Sequence, residues 1–248
     1  MPNPISAATF QWSDYAGVLF DLDGVITPTA EIHEHAWGEL FAPWDFTQAD
    51  YITYIDGKPR YDGVRSFLAA RGVELHEGEP GDAAGDETIC AMGNKKNDLF
   101  TSILERDGIA PYPGSAATME LLVDIGVPSA IVSSSRNAVP VLAAAGLAER
   151  FEIVIDGLVA AETGINGKPA PDMYLMGAER LAVDPARTVV VEDATSGVAA
   201  GAAGNFAVVI GVDRGAGAEA LLAHGASFVV SDLADLLDSS TDGADGNA

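Results

Sequence analysis

The chain has 248 residues, long enough to bury a full core as one large domain or as a main domain carrying an insertion. Hydrophobic residues make up 48% and charged residues 20%, a globular composition and not a disordered one. Thirteen basic against 37 acidic residues give a formal net charge of −24, which argues against nucleic acid or a membrane as partner, because both are held through Lys and Arg on phosphates. The acidity reads instead as a solubility or salt-adapted surface. Cys90 is the only cysteine, so an internal disulfide and a multi-thiolate zinc site are excluded. Met1 to Phe10 has neither a basic segment nor a long apolar one, and no window approaches 18 uninterrupted apolar residues. A cytoplasmic enzyme, monomeric or weakly oligomeric, is expected.

In chain order, the first element is the apolar run Val18-Leu19-Phe20, which ends in Asp21-Leu22-Asp23-Gly24. A buried strand here would carry Asp21 to its carboxyl end, where open α/β sheets place their chemistry. Alternate strand side chains share a face, so Asp21 and Asp23 begin on the same side, and Gly24 allows a tight turn. Pro28 and Thr29 read as a linker. From Ala30 to Gly108 the texture is helical, with Ile32, Ala36, Leu40 and Phe41 at helical spacing until Pro43. Shorter helical pieces follow at Gln48–Ile55 and Tyr61–Arg71, then a loop by composition over 78–85 and a longer helix at Glu87–Glu105. No strand pattern occurs there, so residues 30–108 read as an all-helical insertion.

Beyond Pro111 helices and short apolar strands alternate. Helices are expected at Gly114–Gly126, Ala138–Ala145, Asp172–Leu181, Val198–Ala203 and Ala216–His224. Strands are expected at Ala130–Val132, Ile153–Ile155, Thr188–Val191, Ala207–Ile210 and Phe228–Val230. This alternation predicts a doubly wound parallel sheet covered on both faces. The predicted organisation is therefore a core domain of residues 1–29 and 109–237, a helical insertion of 30–108, and a disordered Ser/Asp/Gly-rich tail of 238–248.

Four places offer polar residues suited to phosphate or metal. They are Asp21-Leu22-Asp23-Gly24; Ser133-Ser134-Ser135-Arg136-Asn137; Gly167-Lys168-Pro169; and Glu192-Asp193, followed by Ala194-Thr195-Ser196-Gly197. Taken singly, each also fits a plain structural role. Asp and Gly are common turn residues, consecutive serines commonly cap helices, and a Lys-Pro or Glu-Asp pair is usually solvated. All four in this order are much less expected by chance.

Together these motifs resemble the haloacid dehalogenase superfamily of phosphotransferases, and the insertion after the first motif resembles that superfamily's small helical cap. The resemblance covers nearly the whole chain. It implies Asp21 as a nucleophile that takes up a phosphoryl group and Asp23 as the general acid/base. It further implies Ser133 as a donor to a phosphoryl oxygen and Lys168 as the balancing cation. Mg2+ would be held by Asp21, the Asp23 backbone carbonyl, and Glu192 or Asp193, with Asp193 the favoured direct ligand.

Within the superfamily, several segments resemble the β-phosphoglucomutase-like branch. Thr27 to His33 followed by Trp37 looks like the start of its cap, with His33 supporting the acid/base. Gly57-Lys58-Pro59-Arg60 resembles a loop whose arginine grips the phosphate that is not transferred, and Lys96 falls in a segment that meets the sugar. Ser134, Ser135, Arg136 and Asn137 match positions that hold the distal phosphate, Arg136 replacing a common lysine. Pro28 departs from the pattern, standing where that branch usually carries aspartate. No basic residue precedes Lys58, yet Arg60, Lys96, Arg136 and Lys168 all fall at expected phosphate positions. The implied reaction is interconversion of β-glucose 1-phosphate and glucose 6-phosphate through a bisphosphate. The alternative is a sugar-phosphate phosphatase with the same nucleophile, and in either case the partner is a hexose phosphate or bisphosphate.

Overall fold

Val18, Leu19 and Phe20 lie in a central strand, β1 (Gly17–Phe20), with every residue buried. In this computed structural model, which describes residues 5–55, 58 and 60–237, the helices α1 (Thr29–Phe41), α2 (Gln48–Asp50), α3 (Arg60–Ala70) and α4 (Ile89–Asp107) follow β1. The chain continues through α5 (Pro113–Asp124), β2 (Ser129–Val132), α6 (Ala138–Ala144), β3 (Val154–Ile155), α7 (Gly157–Thr163) and α8 (Asp172–Arg180). It ends with β4 (Thr188–Glu192), α9 (Thr195–Ala203), β5 (Val208–Val212), α10 (Ala218–Ala223) and β6 (Phe228–Val230). Gly57 and the 238–248 tail lie outside the described residues.

The chain divides into two compact units, one of residues 1–28 and 110–248 and one of residues 29–109. The first is a six-stranded sheet in the order β3-β2-β1-β4-β5-β6 with every neighbouring pair parallel. From β1 the chain winds out to β3, then returns to the other side of β1 and winds out to β6. The direction reverses between β1 and β4, and the crevice at their carboxyl ends is where doubly wound sheets bind ligands. Phe20 pairs with Ile131 on one side and Val191 on the other, so β1, β2 and β4 end within one residue of one another. Strands buried on both faces read as nearly continuous apolar runs, as Val189-Val190-Val191 and Val208-Val209-Ile210 do.

Among its described residues the second unit has helices and an isolated bridge between His76 and Thr88, and no strand. Thr88 caps α4 by accepting the Ala91 N–H, and Gly108, at φ 66°, ends it. Its core gathers Trp37, Leu40, Phe41, Val64, Phe67 and Ile89. The helix expected over Gln48–Ile55 divides here into α2, started by a Thr47–Asp50 capping box, and a π-helical segment, Tyr51–Ile55. Pro28 immediately precedes α1, where its missing N–H costs nothing because first-turn N–H groups have no partner within a helix.

Candidate active site

Asp21 is the first residue beyond the β1 ladder, and its N–H still donates to the Val191 carbonyl (2.9 Å). Its carboxylate is therefore fixed at the carboxyl end of the central strand, almost wholly buried. Lys168 reaches it from the loop before α8. The Lys168 ammonium donates to Asp21 Oδ1 (2.5 Å), to Glu192 Oε1 (2.6 Å) and to the Val132 carbonyl (2.8 Å). An ammonium has three protons, and all three are used.

Glu192 closes β4 and accepts four hydrogen bonds. Lys168 and the Tyr174 hydroxyl (2.9 Å) share Oε1, while the N–H groups of Asp193 and Ala194 (both 3.1 Å) share Oε2. The carboxylate lies where a Cβ on Gly197 would stand, 1.6 Å from Oε1, so only glycine fits at that position in α9. A similar accommodation occurs at Gly24, whose φ of 84° needs a glycine and whose Cβ would fall 1.9 Å from Asp193 Oδ2.

Asp23 sits in the turn that follows. The N–H groups of Ile26 and Thr27 return to the Leu22 carbonyl, and that of Gly24 to the Thr27 carbonyl. Ser133, at the end of β2, donates from Oγ to Asp23 Oδ2 (3.4 Å), and the Ser135 N–H donates to the same Oγ (3.1 Å). Arg214, beyond β5, anchors the turn from outside. It donates to the carbonyls of Gly24 and Ser231 (both 3.1 Å) and to Asp232 (2.9 Å), with its guanidinium 3.9 Å from the Tyr112 ring centroid. The Ser134–Arg136 loop packs on Gly157 at the start of α7, and Arg136 has no ion-pair partner among the described residues.

Buried carboxylates this close resist ionising together. Burial pushes the Asp21 carboxyl up to about 8, with Lys168 opposing and Glu192 and Asp23 adding to the rise. Burial raises Asp193 as well, reinforced by Glu192, Asp21 and Asp23. The carboxylates of Asp21, Glu192 and Asp193 offer oxygens within 4.8 Å of one another. Such hard oxygen donors, short of positive charge, suit a cation of the Mg2+ or Ca2+ type.

In the helical unit, His33 Nδ1 and the buried Lys96 ammonium are hydrogen-bonded, and His33 stacks on Phe100 with 4.3 Å between ring centroids. Burial first, then the Lys96 charge, holds the imidazole well below its usual pKa, so it is neutral and accepts from Lys96. The same ammonium stands 5.3 Å from the Trp37 ring centroid and 5.0 Å from that of Phe100. His33, Trp37 and Lys96 thus form one cluster, whereas Arg60 rests on Tyr61, which is tied to Asn94 (3.0 Å).

A family model described as haloacid dehalogenase-like hydrolase matches residues 15–205, well over half the chain and inclusive of all these motifs. The chain belongs to the haloacid dehalogenase-like hydrolases. Among curated relatives, a β-phosphoglucomutase of Mycobacterium bovis is 48% identical over 237 residues, covering 88% of this chain and 90% of that protein. Hexitol phosphatase A of Escherichia coli is 32% identical over 197 residues, covering 78% and 81%. Among solved structures, a β-phosphoglucomutase of Clostridium difficile superposes with a TM-score of 0.71 at 26% identity, covering 90% of this chain and 93% of that one.

In this haloacid dehalogenase-like chain, sequence reasoning gathered the core residues Asp21, Asp23, Ser133, Lys168, Glu192 and Asp193. It passed over Tyr174, Gly197 as a packing requirement, and Arg214. Tyr174 lies on the apolar face of α8 and reads as ordinary core. Arg214 had a fainter signal: like Asp21 and Glu192, it follows an apolar strand of the sheet, in Val212-Asp213-Arg214-Gly215.

Proposed function

We propose that this haloacid dehalogenase-like enzyme is a Mg2+-dependent β-phosphoglucomutase, converting β-glucose 1-phosphate to glucose 6-phosphate through an aspartyl phosphate. The observation that carries this reading is the 48% identity to a β-phosphoglucomutase along nine-tenths of that protein's length. A phosphorylated sugar carries too much charge to cross a bilayer unaided, so the reading goes with a cytoplasmic enzyme.

In this reading a carboxylate oxygen of Asp21 attacks the phosphorus and the bond to the sugar oxygen breaks. Asp23 protonates the departing oxygen, and later takes the proton from the hydroxyl that accepts the phosphoryl group. Ser133 donates its one hydroxyl proton to Asp23 (3.4 Å), and in this reading turns it to a phosphoryl oxygen when substrate is bound. Lys168, fixed by three acceptors, offsets the charge that accumulates around Asp21. Asp21, Asp193 and the Asp23 backbone carbonyl are the groups we assign to Mg2+. When bound, the ion supplies the positive charge that lets buried carboxylates ionise and that offsets the phosphoryl oxygens. On the core, Ser134, Ser135, Arg136 and Asn137 are our candidates for holding the second phosphate; the helical unit's own candidates for substrate contact are Gly57, Arg60, Lys96, His33 and Trp37.

The test supplies β-glucose 1-phosphate with catalytic glucose 1,6-bisphosphate and Mg2+, following glucose 6-phosphate and inorganic phosphate separately. Glucose 6-phosphate without matching phosphate release is expected. Stoichiometric phosphate release without glucose 6-phosphate would establish a phosphatase, the activity named for the hexitol phosphatase relative.

A further inference from the structure

We propose that Tyr174 is a positioning residue whose buried hydroxyl fills the last acceptor site of Glu192, keeping that carboxylate on Lys168 and off the cation held by Asp21 and Asp193. The inference rests on the Mg2+-dependent reading above and concerns how the two strand-end acidic residues divide their work.

An ionised carboxylate has about four lone-pair positions. All four of Glu192 are engaged by protein donors: Lys168, Tyr174, and the N–H groups of Asp193 and Ala194. None is left for a metal unless a donor withdraws. The two backbone N–H groups belong to the turn from β4 into α9, which the strand and the helix hold on either side. Lys168 carries the opposite charge, so Tyr174 holds the adjustable position. Its phenol is completely buried on α8, packed among Leu19, Val190 and Phe206, where a phenylalanine would fill the same space. The hydroxyl is what phenylalanine would lack, and it points at a carboxylate. The ring also stands under the Lys168 ammonium, 4.8 Å from its centroid, so one side chain touches both members of the Lys168–Glu192 pair.

Glu192 thereby acts on Lys168, and through Lys168 on Asp21, while Asp193, pressed against the Gly24 turn, remains for the metal. A merely structural tyrosine would satisfy its hydroxyl in the same way, but its removal would change stability alone.

The experiment compares wild type with Tyr174→Phe in the full chain. Calorimetric titration of MgCl2 into substrate-free enzyme is expected to show at least threefold tighter Mg2+ binding in Tyr174→Phe, because a freed Glu192 lone pair turns to the ion. With β-glucose 1-phosphate, kcat is expected to fall at least tenfold with KM within twofold. Mg2+ affinity that is unchanged or weaker overturns the proposal, whatever kcat does. A thermal scan of both proteins confirms that Tyr174→Phe is folded. Absence of Mg2+ binding by wild type would remove the metal-dependent reading itself, an outcome distinct from equal binding by the two proteins.

Discussion

Gly197→Ala reverses the usual effect of its substitution type. Gly197 lies within α9, and in an exposed helix interior Ala is favoured over Gly by about 1 kcal/mol. Here the new Cβ would stand 1.6 Å from Glu192 Oε1 and 1.9 Å from Cδ, where ordinary contact begins near 3.4 Å. The carboxylate would have to retreat by roughly 1.8 Å, the difference between 1.6 and 3.4 Å. That breaks the bonds from Lys168 and Tyr174 to Oε1. Charge-assisted bonds of this kind contribute about 1.5–3 kcal/mol each, so the expected loss of stability is about 3–6 kcal/mol less the propensity gain. Because Lys168 loses its alignment, kcat should fall on the order of 10²-fold, the usual result of an ångström-scale displacement in an active site. Urea unfolding followed by circular dichroism gives the first quantity and glucose 6-phosphate formation the second. A Gly197→Ala enzyme as stable as wild type, with kcat within threefold, would refute the reasoning, since Glu192 would then have room to move.

Other outcomes follow from the same geometry. Asp21→Asn should abolish isomerisation and phosphate release together; residual turnover of either would remove the covalent mechanism. Lys168→Met leaves Asp21 and Glu192 buried without their cation, so urea unfolding should report a loss of about 3 kcal/mol or more, and kcat should fall on the order of 10³-fold. For Asp21 the folded pKa, about 8, lies above the unfolded value of 3.8, so the native state binds more protons between them. Metal-free stability should therefore fall as pH rises from about 4 to about 8, by up to roughly 5 kcal/mol. Mg2+ should raise the melting temperature more at pH 8 than at pH 6, and thermal scans showing equal increments would contradict this. Arg60→Ala should slow isomerisation about 10-fold or more beyond any effect on hydrolysis of a simple aryl phosphate, and equal losses would count against a distal-phosphate role.

The doubly wound sheet was legible because its strands are buried on both faces and so read as nearly continuous apolar runs, as Val18–Phe20 and Val189–Val191 do. The acidic residues were legible because each terminates such a run. Less visible were features settled by packing across sequence distance. Tyr174 and Glu192 are 18 residues apart, and nothing in the α8 periodicity separates a hydroxyl with a task from a core aromatic. The helix α7 was also missed. Its signals were the Asp156 cap, which accepts the N–H groups of Leu158 and Val159, and Gly164 at φ 70°. Glu192 or Asp193 was expected at the metal by family resemblance, with Asp193 favoured, and both carboxylates lie with Asp21 where a cation could be held. The side-chain donors on Glu192 come from Lys168 and Tyr174, which only the fold brings to it.

The anchoring of Arg214 bears on where this enzyme can be cut. The family match ends at residue 205, and a fragment trimmed there would keep Asp21, Asp23, Ser133, Lys168 and both strand-end acids of β4. It would lose β5, β6 and the side chain that grips the Gly24 carbonyl beside Asp23. The last two strands, which contribute nothing to the chemistry by name, are therefore part of the smallest catalytic piece, and expression boundaries for this chain belong beyond Asp232.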